Sequence, residues 1–438
     1  MPYRSIRGSS SRYALIAFDQ DGVENTKDPD GLSGCFSRRL IGDFAHDTVT
    51  DVFLMSHGWM GDMPAAVDQY DRWFGAQDAR TADQEQMTHR RPGFKPLRIG
   101  VHWPSKPWGN EEFGAAAAYG LPDDLVESYV ARLGDRPGLR EAVTAVVRAA
   151  DEQPDAQQMP LGAAAAYREI NAILTELGAD GEGAAPGSDR EPFDPQACFA
   201  AAQEETSFGL GDSLGGILAP LRQLSFWKMK QRARLVGAGG MAEFLAALQQ
   251  AAGSRDVRFH LMGHSFGCIL VSAMLCGTPA HRSPVKPVAS LTLVQGALSL
   301  WSYCEKIPVV PGQSGYFHAL IRDKKVSGPI LTTRSMFDTA NRRLYPLGAG
   351  IANQVDFGPG EFPRYGALGT FGAQGLTPDG NNLPMRPATQ AYQFAAGGIY
   401  NLEASKFIRS GGGAAGAHND IAGPEVAHAI WQASLPTA

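Results

Sequence analysis

The pentapeptide Gly263-His264-Ser265-Phe266-Gly267 places a serine in the pattern G-x-S-x-G. Val257–Met262 before it reads as a short strand, and Cys268–Leu275 after it as a buried helix. A serine on a sharp turn between strand and helix holds its hydroxyl at the carboxyl edge of a sheet. The flanking glycines suit such a turn, because side chains there would clash with neighbouring backbone. The helix N-terminus just beyond points N–H groups at negative charge that forms beside the serine. The chemistry this implies is nucleophilic attack by Ser265 on an acyl carbonyl. A serine hydroxyl needs a base for that, and the usual base is a histidine oriented by a carboxylate.

On a doubly wound sheet the partners come from loops at the carboxyl ends of later strands, in the order Ser, Asp or Glu, His. Asp338 lies four residues past the strand-like Ile330–Arg334, and His418 follows the last strand and a Gly411–Gly413 loop. They fit acid and base. Glu305 is the main rival acid, since it follows the strand ending near Gln295; Asp323, Asp356 and Asp420 also compete. The oxyanion of the tetrahedral intermediate needs N–H donors. Phe266 supplies one amide. The turn His57-Gly58-Trp59-Met60-Gly61 after the strand Thr48–Ser56 supplies the other, from Trp59 or else Met60. Trp59, Trp103 and Phe266 would form apolar walls around the acyl site.

Other histidines read as structural: His57 as a brace of the oxyanion turn, His102 and His260 as strand residues, His264 as ordinary in an elbow. No two are spaced as metal ligands on one helix or hairpin, so no metal is expected. Gly209-Leu-Gly211-Asp-Ser-Leu-Gly215 resembles a dinucleotide loop, but no strand precedes it, so no cofactor is expected. The Gly211–Leu214 tetrapeptide within it would suit a different serine chemistry, one wanting an early serine and a late Asp-x-x-His, and neither is present. Cys268 and Cys276 read as core residues.

The positioning elements follow from the apolar pattern. Tyr13–Phe18, Thr48–Ser56, Leu97–Trp103, Val288–Gln295, Pro329–Arg334 and Gly398–Leu402 read as further strands. Met63–Phe74 and Pro424–Ala433 read as helices. Strands alternating with helices predict an α/β fold, doubly wound around a mostly parallel sheet. Between Trp103 and Val257 lie roughly 150 residues where a crossover needs a few tens. Leu125–Leu133, Leu139–Asp151 and Ala163–Leu177 carry helical patterning there. The expected division is a core of residues 1–103 and 221–438 with a helical cap or lid at 104–220. Leu221–Gln250 is expected to return as the helix before the elbow strand, and Leu344–Ala396 to be irregular.

With 438 residues, 44% of them hydrophobic, the chain can bury a sizeable core. Net charge is −6, and without a basic stripe nucleic acid is not an expected partner. Five unpatterned cysteines argue against a disulfide framework. Neither a signal peptide nor an apolar run of membrane-spanning length stands out. A cytoplasmic home is the simplest expectation, although signal-independent export would look the same. A homo-oligomer is compatible with the sequence.

The elbow, the His57-Gly58 turn, Asp338 and His418 together resemble the α/β-hydrolase superfamily over about residues 12–103 and 221–435. Leu221–Gly240 and Gly416–Trp431 also resemble a group of uncharacterised bacterial α/β hydrolases. The resemblance implies ping-pong acyl transfer: Ser265 attacks an ester or amide carbonyl with His418 as base, and water cleaves the acyl-enzyme. The expected activity is hydrolysis of a small-molecule or lipid-like carboxylic ester. A peptidase, amidase or acyltransferase with the same triad, or a non-catalytic binding protein on the same fold, are the alternatives.

Overall fold

The computed structural model describes residues 3–26, 34–59, 63–105, 122–134, 136–175, 193–200, 216–278, 284–344, 362–376, 380–411 and 415–436. The strands are β1 (Tyr3–Ser5), β2 (Arg12–Ala17), β3 (Asp51–Ser56), β4 (Pro96–His102), β5 (Arg258–His264), β6 (Ser290–Val294), β7 (Ile330–Arg334), β8 (Asn381–Pro384) and β9 (Ile399–Glu403). They form one sheet in the order β1-β2-β4-β3-β5-β6-β7-β9-β8. The β1–β2 ladder is antiparallel and the other seven pairings are parallel. β3 and β6 are buried along their whole length; β3 carries the unbroken apolar run Val52–Met55, while β6 alternates Ser290 and Thr292 with leucines. This is an α/β architecture with a mostly parallel, mixed sheet.

The chain divides into two compact units. One comprises Met1–Lys106, Arg232–Arg342 and Gly366–Ala438 and contains the whole sheet. Helices α1 (Phe36–Ala45), α2 (Met63–Asp78) and α3 (Thr81–Arg90) connect its early strands. The second unit comprises Pro107–Gln231 and Arg343–Tyr365. It therefore reaches beyond the expected 104–220 insert at one end and takes in part of the stretch read as irregular. Its helices α4 (Pro122–Leu133), α5 (Leu139–Glu152) and α6 (Leu161–Thr175) share a core that includes Tyr129, Val143, Val146, Tyr167 and Ile170. The Tyr167 hydroxyl donates to the Ile217 carbonyl at 2.6 Å.

The segment expected as one helix from Leu221 to Gln250 is two, α7 (Ala219–Val236) and α8 (Ala242–Ala252). A wide turn at Gly237–Met241 separates them, with Gly239 at φ −93° and ψ −113°. The reason is steric. A side chain on Gly237 would strike the Leu270 carbonyl, and one on Gly240 the Gly22 carbonyl. Helices α9 (Gly267–Cys276) and α10 (Pro424–Ser434) complete the sheet-bearing unit. α9 is buried from Gly267 to Leu275, as its all-round apolar sequence requires. β1, β8, α1 and α3 lie outside the sequence expectations, and β8 falls within the stretch read as irregular. Among the described residues no helix is long and apolar enough to cross a membrane.

Two side-chain networks hold the sheet at its opposite edges. At the carboxyl edge, Tyr70 of α2 lies against Gly100, where any Cβ would sit 2.8 Å from its ring. Its hydroxyl accepts the N–H groups of His57 (2.9 Å) and Val101 (3.1 Å) and donates to the Val101 carbonyl (2.5 Å). β3 and β4 are thereby joined where the His57 turn departs. At the amino edge, the buried Asp51 carboxylate receives Arg258 Nη2 (2.8 Å), Arg91 Nε (2.9 Å) and His260 Nε2 (3.1 Å), and Arg258 also reaches the Ser434 carbonyl at 2.6 Å.

Burial alone would raise the Asp51 carboxyl. The hydrogen bond and charge of His260 and the charge of Arg258 outweigh it and hold the group well below the usual carboxylate range. A carboxyl depressed by folding stabilises the fold above its ordinary value of 3.8, and this contribution is lost as pH falls toward the folded-state value. Asp51→Asn should therefore lower stability at pH 7, by about 3–5 kcal/mol, because Arg258 loses its carboxylate partner and Arg91 keeps only Asp256. It should also flatten the fall in urea midpoint between pH 5 and pH 3. An equally steep fall in the variant would remove Asp51 from the acid response.

Candidate active site

Ser265 sits between β5 and α9 with φ 56°, a left-handed conformation rare for a residue with a side chain. Such strain costs on the order of 1–3 kcal/mol and persists where the surroundings enforce it. Here the enforcement is visible. The Ser265 N–H donates to the Val294 carbonyl at the end of β6 (3.1 Å), and the Ser265 carbonyl accepts the N–H groups of Cys268 (3.1 Å) and Ala297 (3.2 Å). The flanking glycines are required by close approach. A Cβ on Gly263 would lie 2.5 Å from the Gly267 carbonyl, and one on Gly267 would strike the Ser56 and His57 carbonyls.

The turn after β3 lies directly against this elbow. A Cβ on Gly58 would come within 2.5 Å of the Ser265 Cβ. His57 fixes the turn from inside: its Nδ1–H donates to the Gly58 carbonyl at 2.8 Å. Burial, then the nearby His102, push the His57 ring down to about 3, so it is neutral at working pH and is no base. Trp103 stacks on His57 with ring planes 8° apart, and its indole N–H donates to the His57 carbonyl at 3.1 Å. Trp103 was expected to wall an acyl site; these contacts give it the task of bracing the turn. The Trp59 and Phe266 rings pack together with centroids 5.6 Å apart, and Phe266 is the N-cap of α9. Met60, the alternative oxyanion donor, lies outside the described residues, as do the 209–215 loop and Asp356.

Asp338 and His418, 80 residues apart, meet: His418 Nδ1 donates to Asp338 Oδ2 at 2.8 Å. Backbone zips the two loops together. Asp338 and Gly416 form an isolated antiparallel bridge, and the Ala417 N–H donates to the Phe337 carbonyl at 2.9 Å. Gly416 (φ 56°) has to be glycine, because a Cβ would strike Thr339 and lie 2.6 Å from the Phe337 carbonyl. The competing acids stand elsewhere. Glu305 is exposed, Asp323 pairs with Arg322 at 2.7 Å, and Asp420 accepts the N–H groups of Arg409 and Ser410.

His264 proves to be more than an ordinary elbow residue. Its Nε2–H donates to the His418 carbonyl at 2.9 Å, which can only accept. Burial, then the neighbouring His418, hold the ring far below the usual histidine range, so Nδ1 is bare and accepts Gln69 Nε2 at 3.1 Å. The residue before the serine thus anchors the backbone of His418. No hydrogen bond joins Ser265 Oγ to His418 Nε2 in this structure. The two are linked through His264, and proton transfer requires ring and hydroxyl to close that gap.

A second Ser–His–Asp line runs through Ser290 Oγ, His260 Nδ1 (2.8 Å) and His260 Nε2, Asp51 Oδ1 (3.1 Å). Its serine lies inside β6 without an elbow and its acid is shared with two arginines. Residue types alone do not define the site; the strained turn and the apposed His57-Gly58 loop distinguish Ser265.

Sequence reasoning passed over Tyr70, Gln295 and Asn341 and read His264 as ordinary, although each makes at least one contact with a residue distant in sequence. Compared with known proteins, the chain matches no family model, no curated protein and no solved structure.

Proposed function

We propose that the protein is a serine hydrolase of α/β-hydrolase type acting on carboxylic esters. The observation that carries the reading is the Asp338–His418 hydrogen bond beside a serine held at φ 56°. The strand order agrees with it: the elbow follows the central β5, and acid and base follow β7 and β9. In the reaction, His418 Nε2 takes the Ser265 hydroxyl proton as Oγ attacks the ester carbonyl. The amides of Phe266 and Trp59 receive the oxyanion. His418 then gives its proton to the leaving alkoxide, and water activated by the same ring releases the acid and restores Ser265. Asp338 holds the ring with Nδ1–H inward and stabilises the imidazolium. Trp59 and Phe266 line the acyl position, and Trp103 supports them through His57.

A non-catalytic binding protein on the same fold is the second reading, favoured by the missing Ser265–His418 hydrogen bond. One experiment separates the two. The purified protein should hydrolyse p-nitrophenyl esters across an acyl-length series and should gain one fluorophosphonate adduct, mapped by peptide mass spectrometry to the Ser265 peptide. A protein that neither turns over any ester nor takes the adduct would favour the binding reading.

A further inference from the structure

Between the acid and the sheet stand two buried amides. Gln295 follows β6 with φ 46°, a strained position for a residue with a side chain. Its Nε2 donates to Asp338 Oδ2 at 3.0 Å. Asn341 Nδ2 donates to the same oxygen at 2.7 Å and, with its second hydrogen, to the Gln295 carbonyl at 2.8 Å. The Asn341 backbone N–H takes the other carboxylate oxygen at 2.9 Å. With His418, four N–H donors surround a side chain that is 0% exposed.

The orientation of Gln295 is fixed by Thr333 on β7. Its hydroxyl donates to Gln295 Oε1 at 3.1 Å and accepts the Gln295 N–H at 3.0 Å. The amide oxygen is thereby engaged, and the nitrogen must face Asp338. A Cβ on Gly369 would strike Asn341 Nδ2, so that glycine leaves room for the second amide.

The chemistry of these donors matters. A buried carboxylate without donors would take up a proton and stop acting as an acceptor. A lysine or arginine would keep it ionised, but the added cation would oppose the imidazolium that forms on His418. Neutral amides pin the carboxylate by hydrogen bonds without placing a second cation beside the ring. We propose that Gln295 and Asn341 are positioning residues that fix the Asp338 carboxylate, and through it the His418 ring, in the orientation that a general base needs. The proposal rests on the serine-hydrolase reading. Two titratable side chains face the His418 ring: Asp338 from the loop after β7, and His264 from β5 with ring centres 4.8 Å apart. His264 is held uncharged by burial, and Arg72 on α2 acts on it from behind.

Gln295→Met removes one donor at similar volume. The carboxylate is then less firmly held against His418, and kcat for a p-nitrophenyl ester should fall about tenfold with KM within about twofold. Thr333→Val frees the Gln295 amide without touching Asp338 and should lower kcat by less, again with KM nearly unchanged. Thermal melts check that each variant folds; if Gln295→Met does not, Thr333→Val decides alone. A folded variant with the wild-type kcat overturns the proposal while leaving the hydrolase reading intact. Wild-type protein with no ester turnover and no fluorophosphonate adduct overturns both.

Discussion

Ser265→Ala should lower kcat for ester hydrolysis on the order of 10⁵–10⁶-fold and abolish fluorophosphonate labelling. The size follows from what the substitution leaves. Phe266 and Trp59 amides and the apolar walls still bind substrate and meet developing charge, so a residual rate above the uncatalysed one is expected. The fold should survive, because the constraint on residue 265 is held by backbone bonds to Val294, Cys268 and Ala297, all of which alanine keeps. Thermal unfolding of the variant should therefore stay close to that of the parent. Equal labelling of variant and parent would remove Ser265 from the nucleophile position.

Asp338→Asn is expected to reduce kcat by about 10³–10⁴-fold with little change in KM. The new amide would have to present its oxygen to Gln295, Asn341 and His418. Its NH₂ group would then face the Asn341 N–H, donor against donor. Turned the other way, it would confront three donors and force His418 into the wrong tautomer. Either arrangement leaves a buried donor unmatched, so a stability loss of about 1–3 kcal/mol should accompany the kinetic one. Steady-state kinetics and thermal melts measured together test this. A variant with unaltered kcat would show that His418 is oriented by its backbone alone, through His264.

The elbow was legible because its signals are local: an apolar strand, a Gly-flanked serine and an apolar helix are contiguous. Asp338 and His418 could be reached from their position after late strands, but the choice over Glu305 needed tertiary structure. Which carboxylate meets His418 is visible only in the folded chain, where the bridge to Gly416 brings Asp338 to the ring. The roles of His264, Gln295 and Asn341 were not legible, because Gln and Asn are common and the contacts that join them to His418, Asp338 and Gln295 span 154, 43 and 46 residues. β8, with three polar or turn-forming residues in Asn-Asn-Leu-Pro, gave no strand pattern and sits at the sheet edge. The break between α7 and α8 did leave a trace in Gly237-Ala-Gly-Gly240, which apolar periodicity on both sides concealed.

The two networks at opposite edges of the sheet have a consequence for how this protein could change over generations. Asp51, Arg91, Arg258 and the end of α10 clamp the amino edge and share no residue with the Ser265, His57 or Asp338 loops at the other. Sites that far apart, without common partners, vary nearly independently. Loops at the carboxyl edge are therefore free to diversify while the clamp carries the fold. A library confined to those loops should keep a far larger folded fraction than one spread across the sheet.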